Sequence, residues 1–142
     1  MFSRFVATSF LALTLMGSAA LAQVPRVRDQ HEYNLILAYQ QEKDPAKQME
    51  LLKQWEAEYP DSEFKGVRLV SMAQADGQII TRGLLFSGST ADVAAARGAA
   101  MDLLNNIDRY LAPENKPPGS TDDQWKQARE QLEERARAVL KL

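Results

Sequence analysis

The sequence predicts an all-α protein of five or six antiparallel helices. After residue 28, apolar residues recur at spacings of three and four, the period of a helix that buries one face. Between these runs lie prolines, glycines and helix-capping residues such as Asp44 and Ser89. Residues 78–87 also suit a strand, but the chain offers no second strand to pair with it. We therefore expect a short separate helix there.

The first 22 residues are typical of a secretory signal peptide. A positive charge at Arg4 precedes an apolar run over residues 5–16, and the triplet Ala-Leu-Ala closes the segment at residues 20–22. We predict cleavage after Ala22 and a periplasmic or secreted mature protein. A buried N-terminal helix and an uncleaved anchor are the alternatives. The apolar run is too short for a comfortable membrane span, and cleavage would remove it. We therefore expect no stable membrane span in the mature protein.

Composition limits what the mature chain can bind. The 142 residues suggest one domain, and losing Arg4 with the signal changes the formal charge from −2 to −3. No basic surface is predicted, so nucleic acid is not expected as a partner. The chain has no cysteine, which excludes disulfides and thiolate metal sites. A lipid anchor would need cysteine where Gln23 stands.

The helical domain is predicted to span residues 29–142, after a flexible lead-in over residues 23–28. A first helix ends before Asp44, which is placed to cap a second helix starting at Pro45. Pro60 ends that helix. Trp55 is expected to be buried between this first hairpin and the third helix.

The third helix is predicted to be capped by Asp61 or Ser62 and to end at Gly77, which suits the left-handed position after a helix. The short helix over residues 78–87 follows.

The helix after that short one is rich in alanine and runs to Pro113; we call it the fourth long helix. The last helix is predicted to start near Ser120, which forms a weak capping-box pattern with Asp123.

Residues 83–90, GLLFSGST, differ by one letter from the phosphate-binding loop G-x-x-x-x-G-K-[ST]. Ser89 stands where that loop needs its lysine, whose ammonium contacts the β- and γ-phosphates. The predicted fold also lacks the parallel sheet that supports such a loop. We expect no nucleotide binding, and assign Ser89 or Thr90 as the cap of the fourth long helix.

The first hairpin matches the 34-residue tetratricopeptide pattern, which places large residues at positions 7, 11 and 24 and proline at position 32. With Pro60 at position 32, those positions hold Leu35, Tyr39 and Leu52. In the same register, Gly77 falls at the turn of a second, poorer unit.

Residues 44–64 and 110–140 resemble tetratricopeptide-type proteins that bacteria export. The resemblance implies hairpins stacked as a short right-handed solenoid that binds other proteins or peptides, with no catalytic residues. The shortened centre and the end at Leu142 suggest a truncated member. In such stacks, the first helix of each pair lines the concave side, where the register places six residues: Tyr33, Leu37, Gln40, Val67, Ser71 and Gln74. Alternatively, Tyr33 and Leu37 belong to the core.

Residues with catalytic or metal-binding chemistry are sparse. His31 is the only histidine and cannot build a multi-histidine metal site. The acidic pairs at residues 122–123 and 133–134 fall at a helix start and on a charged helix face, which favours solvation over catalysis. We expect no metal and no cofactor.

These observations favour an exported helical scaffold that binds an unidentified protein or peptide and is not an enzyme. Two alternatives remain open. One is a small extracytoplasmic enzyme or ligand-binding protein whose site follows no motif. The other is a truncated remnant of a larger repeat protein.

Export is directly testable. Because the charged start, apolar run and Ala-Leu-Ala triplet align, the mature protein should begin at Gln23. N-terminal sequencing of protein recovered outside the cytoplasm checks the cleavage point. A dominant species that retains Met1 would contradict the prediction.

Overall fold

The computed structural model describes residues 25–142, and the predicted signal peptide lies outside them. The described chain is all-helical and contains no strand, which confirms the all-α prediction for this part. It holds five α-helices and a 3₁₀ helix: α1 Gln30–Gln41, α2 Pro45–Glu58, α3 Lys65–Leu85, α4 Thr90–Tyr110, the 3₁₀ helix Pro113–Asn115, and α5 Asp122–Val139.

Two of the predicted helix starts are confirmed. The Asp44 side chain accepts a hydrogen bond from the Ala46 amide at 3.0 Å, and Pro45 occupies the first position of α2. The Ser89 hydroxyl accepts from the Asp92 amide at 3.2 Å at the start of α4. Both caps satisfy an amide that the helix itself leaves unpaired.

The start of α5 lies one residue later than predicted. Thr121, not Ser120, is the capping residue, and Gln124 completes a reciprocal capping box. The Thr121 hydroxyl accepts from the Gln124 amide at 3.1 Å, while the Gln124 side chain accepts from the Thr121 amide at 3.0 Å. A glutamine in the third helical position supplies the long acceptor that this motif needs, which an aspartate supplies less well.

The prediction that a helix ends at Gly77 is wrong, and so is the separate short helix over residues 78–87. Helix α3 instead continues without interruption through Gly77 to Leu85, as one element of 21 residues. Gly77 is buried against α5, where an added Cβ would lie 2.7 Å from Leu132 Cδ2. This glycine permits close helix packing instead of a left-handed turn. Among the described residues, the positive-φ glycine is Gly119, in the loop before α5.

The start of α3 also differs from the prediction. Phe64 occupies the capping position without a side-chain cap. Ser62 accepts a hydrogen bond from the Phe64 amide at 3.1 Å, but its hydroxyl proton is donated to Glu32 on α1. Ser62 therefore links α1 to the turn before α3.

Each helix packs on the next along the chain, and α5 returns to contact both α3 and α4. The most extensive contact joins α3 and α4. Each of these helices has 21 residues, so the pair is longer than a 34-residue repeat unit. The core combines residues of all five helices, including Leu35, Leu52, Trp55, Met72, Ile80, Ala96, Ala100, Leu103, Tyr110, Ala136 and Val139.

Small residues bring α3 and α4 unusually close together. A Cβ built on Gly83 would lie 2.2 Å from the Ala96 Cβ and 3.0 Å from the Asp92 carbonyl oxygen. Neither Ala96 nor the α4 backbone can move aside as a flexible side chain would. The contact therefore requires glycine at position 83.

Two glycine substitutions should separate the effect of this close contact on stability from the effect of glycine on helix propensity. Gly83→Ala should lower the free energy of unfolding by about 1–3 kcal/mol because the new methyl group overpacks the α3–α4 contact. Gly98→Ala is the control, since its Cβ would meet nothing within 4 Å and should stabilise α4 by about 0.5–1 kcal/mol. Urea unfolding of both variants measures the difference. Equal or greater stability of Gly83→Ala would contradict the packing.

Candidate functional site on helices α1 and α3

The first turns of α1 and α3 lie at the same end of the molecule, beside the end of α2. The Tyr59 hydroxyl, at the end of α2, donates to Asp29 Oδ1 at the start of α1 at 2.7 Å. His31 on α1 and Glu58 on α2 are joined at 2.5 Å between Nε2 and Oε2. The chain then turns over residues 59–64 and enters α3 from this same end.

A buried carboxylate, Glu32, holds this end together. Its oxygens accept hydrogen bonds from the Trp55 indole at 3.0 Å, the Arg28 amide at 2.6 Å and the Ser62 hydroxyl. Burial alone would raise the pKa of Glu32, but these hydrogen bonds outweigh burial and hold the pKa below its usual value. Glu32 therefore stays ionised and joins α1, α2 and the turn before α3.

Trp55 lies where the sequence predicted, between the first hairpin and the start of α3. Its side chain is 2% exposed, and its ring centroid is 6.4 Å from that of Phe64. The guanidinium carbon of Arg68, a fully buried residue of α3, lies 5.4 Å from the Trp55 ring centroid. Arg68 Nη1 also donates to the Tyr59 carbonyl at 2.9 Å. These contacts fix α3 on α2.

The six residues expected on a concave face lie on α1 and α3, three on each helix, and differ in exposure. Tyr33 and Val67, in the first turns, are 44% and 55% exposed. Gln40 and Gln74, two turns further along, are exposed, and Leu37 is half-buried.

Ser71, the sixth of these residues, presents little surface to a partner. It is buried, and its hydroxyl donates to the Val67 carbonyl of its own helix at 2.8 Å.

The exposed surface of these two helices carries few charged side chains, with Lys65 and Arg82 exposed toward the two ends of α3. Over Gln30–Gln41, the one acidic residue is Glu32, which is buried, and His31 is the one other ionisable group apart from tyrosine. Between Lys65 and Arg82 on α3, the charged residues Arg68 and Asp76 are both buried. We call the resulting surface the α1–α3 face: Tyr33, Asn34, Leu37, Gln40, Val67, Gln74 and Gln78.

The rest of the described surface is different in character. A quarter of the chain is charged, and ion pairs join exposed or half-exposed side chains on α2, α4 and α5. Sequence reasoning did not identify the missing charge on the α1–α3 face. The available signal was that Glu32, Arg68 and Asp76 fall on the apolar stripe of their helices.

A second feature of interest to function is the buried carboxyl group of Asp76. Its residue is 2% exposed, and burial together with the neighbouring Asp102 raises its pKa to about 8. A raised carboxyl pKa is a property of catalytic acids. However, Asp76 is only 2% exposed and lies among packed protein. It lines neither of two surface grooves of about 520 Å³ and about 310 Å³.

Residues 25–142 contain no group of three acidic or histidine side chains arranged to hold a metal ion. Within the same residues, none of the helices combines the length and apolar character that crossing a bilayer requires.

Comparison with known proteins adds no assignment. No family model, no curated protein and no solved structure matches this chain.

The role of Glu32 in positioning α1 can be tested by its removal. Glu32→Ala leaves the Trp55 indole and the Ser62 hydroxyl without their acceptor, and each unpaired buried group costs about 1–3 kcal/mol. The adjacent Tyr33→Ala, at an exposed position, should change the free energy of unfolding by less than about 0.5 kcal/mol. Chemical denaturation compares the two variants. Similar stability for both would show that the hydrogen bonds of Glu32 do not hold α1 in position.

Proposed function

We propose that this protein is an exported helical scaffold whose α1–α3 face binds uncharged segments of other proteins or peptides. One observation carries the proposal. Between the ends of the helices, α1 and α3 expose amide, aromatic and aliphatic side chains while Glu32, Arg68 and Asp76 are buried, in a chain that is one-quarter charged. The centres of protein interfaces are likewise depleted in charge.

The chemistry of the face suits a peptide backbone. Gln40 and Gln74 each carry an amide that can donate and accept hydrogen bonds, the pattern that a peptide unit also presents. Tyr33 and Val67 add exposed apolar area beside them. Binding an uncharged segment here would not require a partner to lose the hydration of a charge.

We further propose that the hairpins stack as in a short, right-handed tetratricopeptide-like solenoid. Support comes from the first hairpin, where Leu35 and Leu52 of the repeat pattern are buried and Tyr39 is half-buried. The shared end at which α1 and α3 begin also agrees with stacked pairs. The second repeat departs from the pattern because α3 is continuous through Gly77. An experimental structure would test the handedness of the stack.

Export remains part of the proposal and rests on the signal-like pattern of residues 1–22. The mature chain would then act in the periplasm or outside the cell.

An enzyme or small-ligand-binding protein is the second candidate, and the raised pKa of Asp76 is the observation that favours it. It is the weaker candidate because a substrate must reach the acid that acts on it. The burial of Asp76 offers no such access in this structure.

The binding proposal is tested by selecting peptides from a random library on mature protein. We expect selected peptides that are largely uncharged, with a dissociation constant that changes less than about threefold between 50 mM and 500 mM salt, since few charge contacts are screened. Gln40→Ala and Gln74→Ala should each weaken binding about fivefold or more, the effect of losing a hydrogen bond of about 1 kcal/mol.

Gln131→Ala is the matched control, because Gln131 is an exposed glutamine on α5. It should bind selected peptides as the wild type does, and all three variants should keep the wild-type melting temperature. Full-strength binding by both face variants would refute the α1–α3 face as the binding surface.

A further inference from the structure

Two carboxyl groups meet at the main helix contact of the fold. Asp76 of α3 and Asp102 of α4 lie within hydrogen-bonding reach of each other. Asp76 is 2% exposed, and its Oδ2 atom has no hydrogen-bond partner among the described residues. Asp102 is less deeply placed, with 28% of its side chain exposed.

The groups around the pair come from each neighbouring helix. From α4, the Tyr110 hydroxyl donates to Asp102 Oδ2 at 2.8 Å, and the Asn106 amide lies 3.4 Å from Asp102 Oδ1. From α2, the ammonium of Lys53 lies 3.9 Å from Asp102 Oδ1, with its side chain 56% exposed. From α5, the apolar Leu132 packs against Gly77, the residue after Asp76.

These contacts decide where a proton would reside. Two adjacent carboxylates in a shielded place cannot both ionise without strong repulsion. Asp102 already accepts a hydrogen bond from Tyr110, and the Lys53 ammonium lies 3.9 Å from its Oδ1. Asp76 has no comparable donor, and a protonated Asp76 can itself donate to Asp102. The proton therefore belongs on Asp76.

We propose that Asp76 and Asp102 share one proton in the folded protein and act as a proton-dependent latch between α3 and α4. With the proton in place, an O–H···O bond joins the two helices. Without it, two negative charges face each other inside the most extensive helix contact of the molecule. The latch concerns folding and does not depend on the proposed binding function.

The sign of the pH effect follows from proton binding. Burial, followed by the hydrogen bond and charge of Asp102, raises the pKa of Asp76 from 3.8 to about 8, and Lys53 opposes this only in part. Between these two values the folded state holds one more proton than the unfolded state. Stability from this group is therefore complete below pH 3.8 and is lost as pH rises to about 8.

A metal ion is a less suitable occupant than a proton. The pair offers two carboxylates, and the Lys53 ammonium beside Asp102 would repel a divalent cation. A hard cation usually needs several more oxygen ligands than are present here.

The test compares unfolding of the wild type and Asp76→Asn from pH 5.5 to pH 9. Asparagine keeps the shape and can donate to Asp102 without titrating. The unfolding equilibrium constant of the wild type, relative to Asp76→Asn at each pH, should rise about tenfold per pH unit up to about pH 8 and then level off. Taking the ratio cancels titrations common to both proteins. A constant ratio across this range would overturn the latch.

Two further measurements keep the proposal testable if Asp76→Asn folds poorly. Carbon-13 NMR of the Asp76 carboxyl in the wild type should show titration near pH 8, and a midpoint near pH 4 would refute the proposal. Asp102→Asn should lower that midpoint, because it removes the negative charge that holds the proton. An unchanged midpoint would show that burial alone, without sharing, retains the proton.

Discussion

The close approach of α3 and α4 is the constraint on which the rest of the structure depends. Gly83 lies so near Ala96 that no side chain fits between the two helices at that point. The helix α3 also contacts α2 and α5, so its position against α4 fixes where those helices can lie. A helix of 21 residues that packs on three others must bury most of its circumference. Its glycines and alanines make that possible, because they let neighbouring backbones approach.

Burying so much of α3 has a consequence for charge. Arg68 and Asp76 are buried with the apolar residues around them, and neighbouring groups satisfy each of them only in part. Arg68 lies over the Trp55 ring and bonds a carbonyl, while Asp76 lies beside a second carboxyl group. On α1, Glu32 is buried with three hydrogen-bond donors. Away from Lys65 and Arg82, the surface that α1 and α3 expose therefore carries little charge. The internal polar contacts and the candidate binding face arise from the same placement of residues.

The sequence by itself determined much of the local structure. Apolar spacing of three and four identified the helical segments, and Asp44 and Ser89 were recognised as caps because a cap depends on an amide two or three residues away. The burial of Trp55 followed from the same spacing, and the exposure of Gln40 and Gln74 followed from the repeat register. These features depend on neighbours within one or two helical turns, which the sequence shows directly.

Other features were decided by tertiary structure. Gly77 could serve a left-handed turn or a close helix contact, and its local sequence is compatible with both; the position of Leu132, 55 residues away in the chain, decides for the contact. Likewise, acidic and basic residues are normally exposed, so the positions of Glu32 and Asp76 on apolar stripes did not by themselves establish their burial. Their partners, Trp55 and Ser62 for Glu32 and Asp102 for Asp76, belong to other elements of the fold. A buried charge is stable only when such distant groups converge on it, and that convergence exists only in the folded chain.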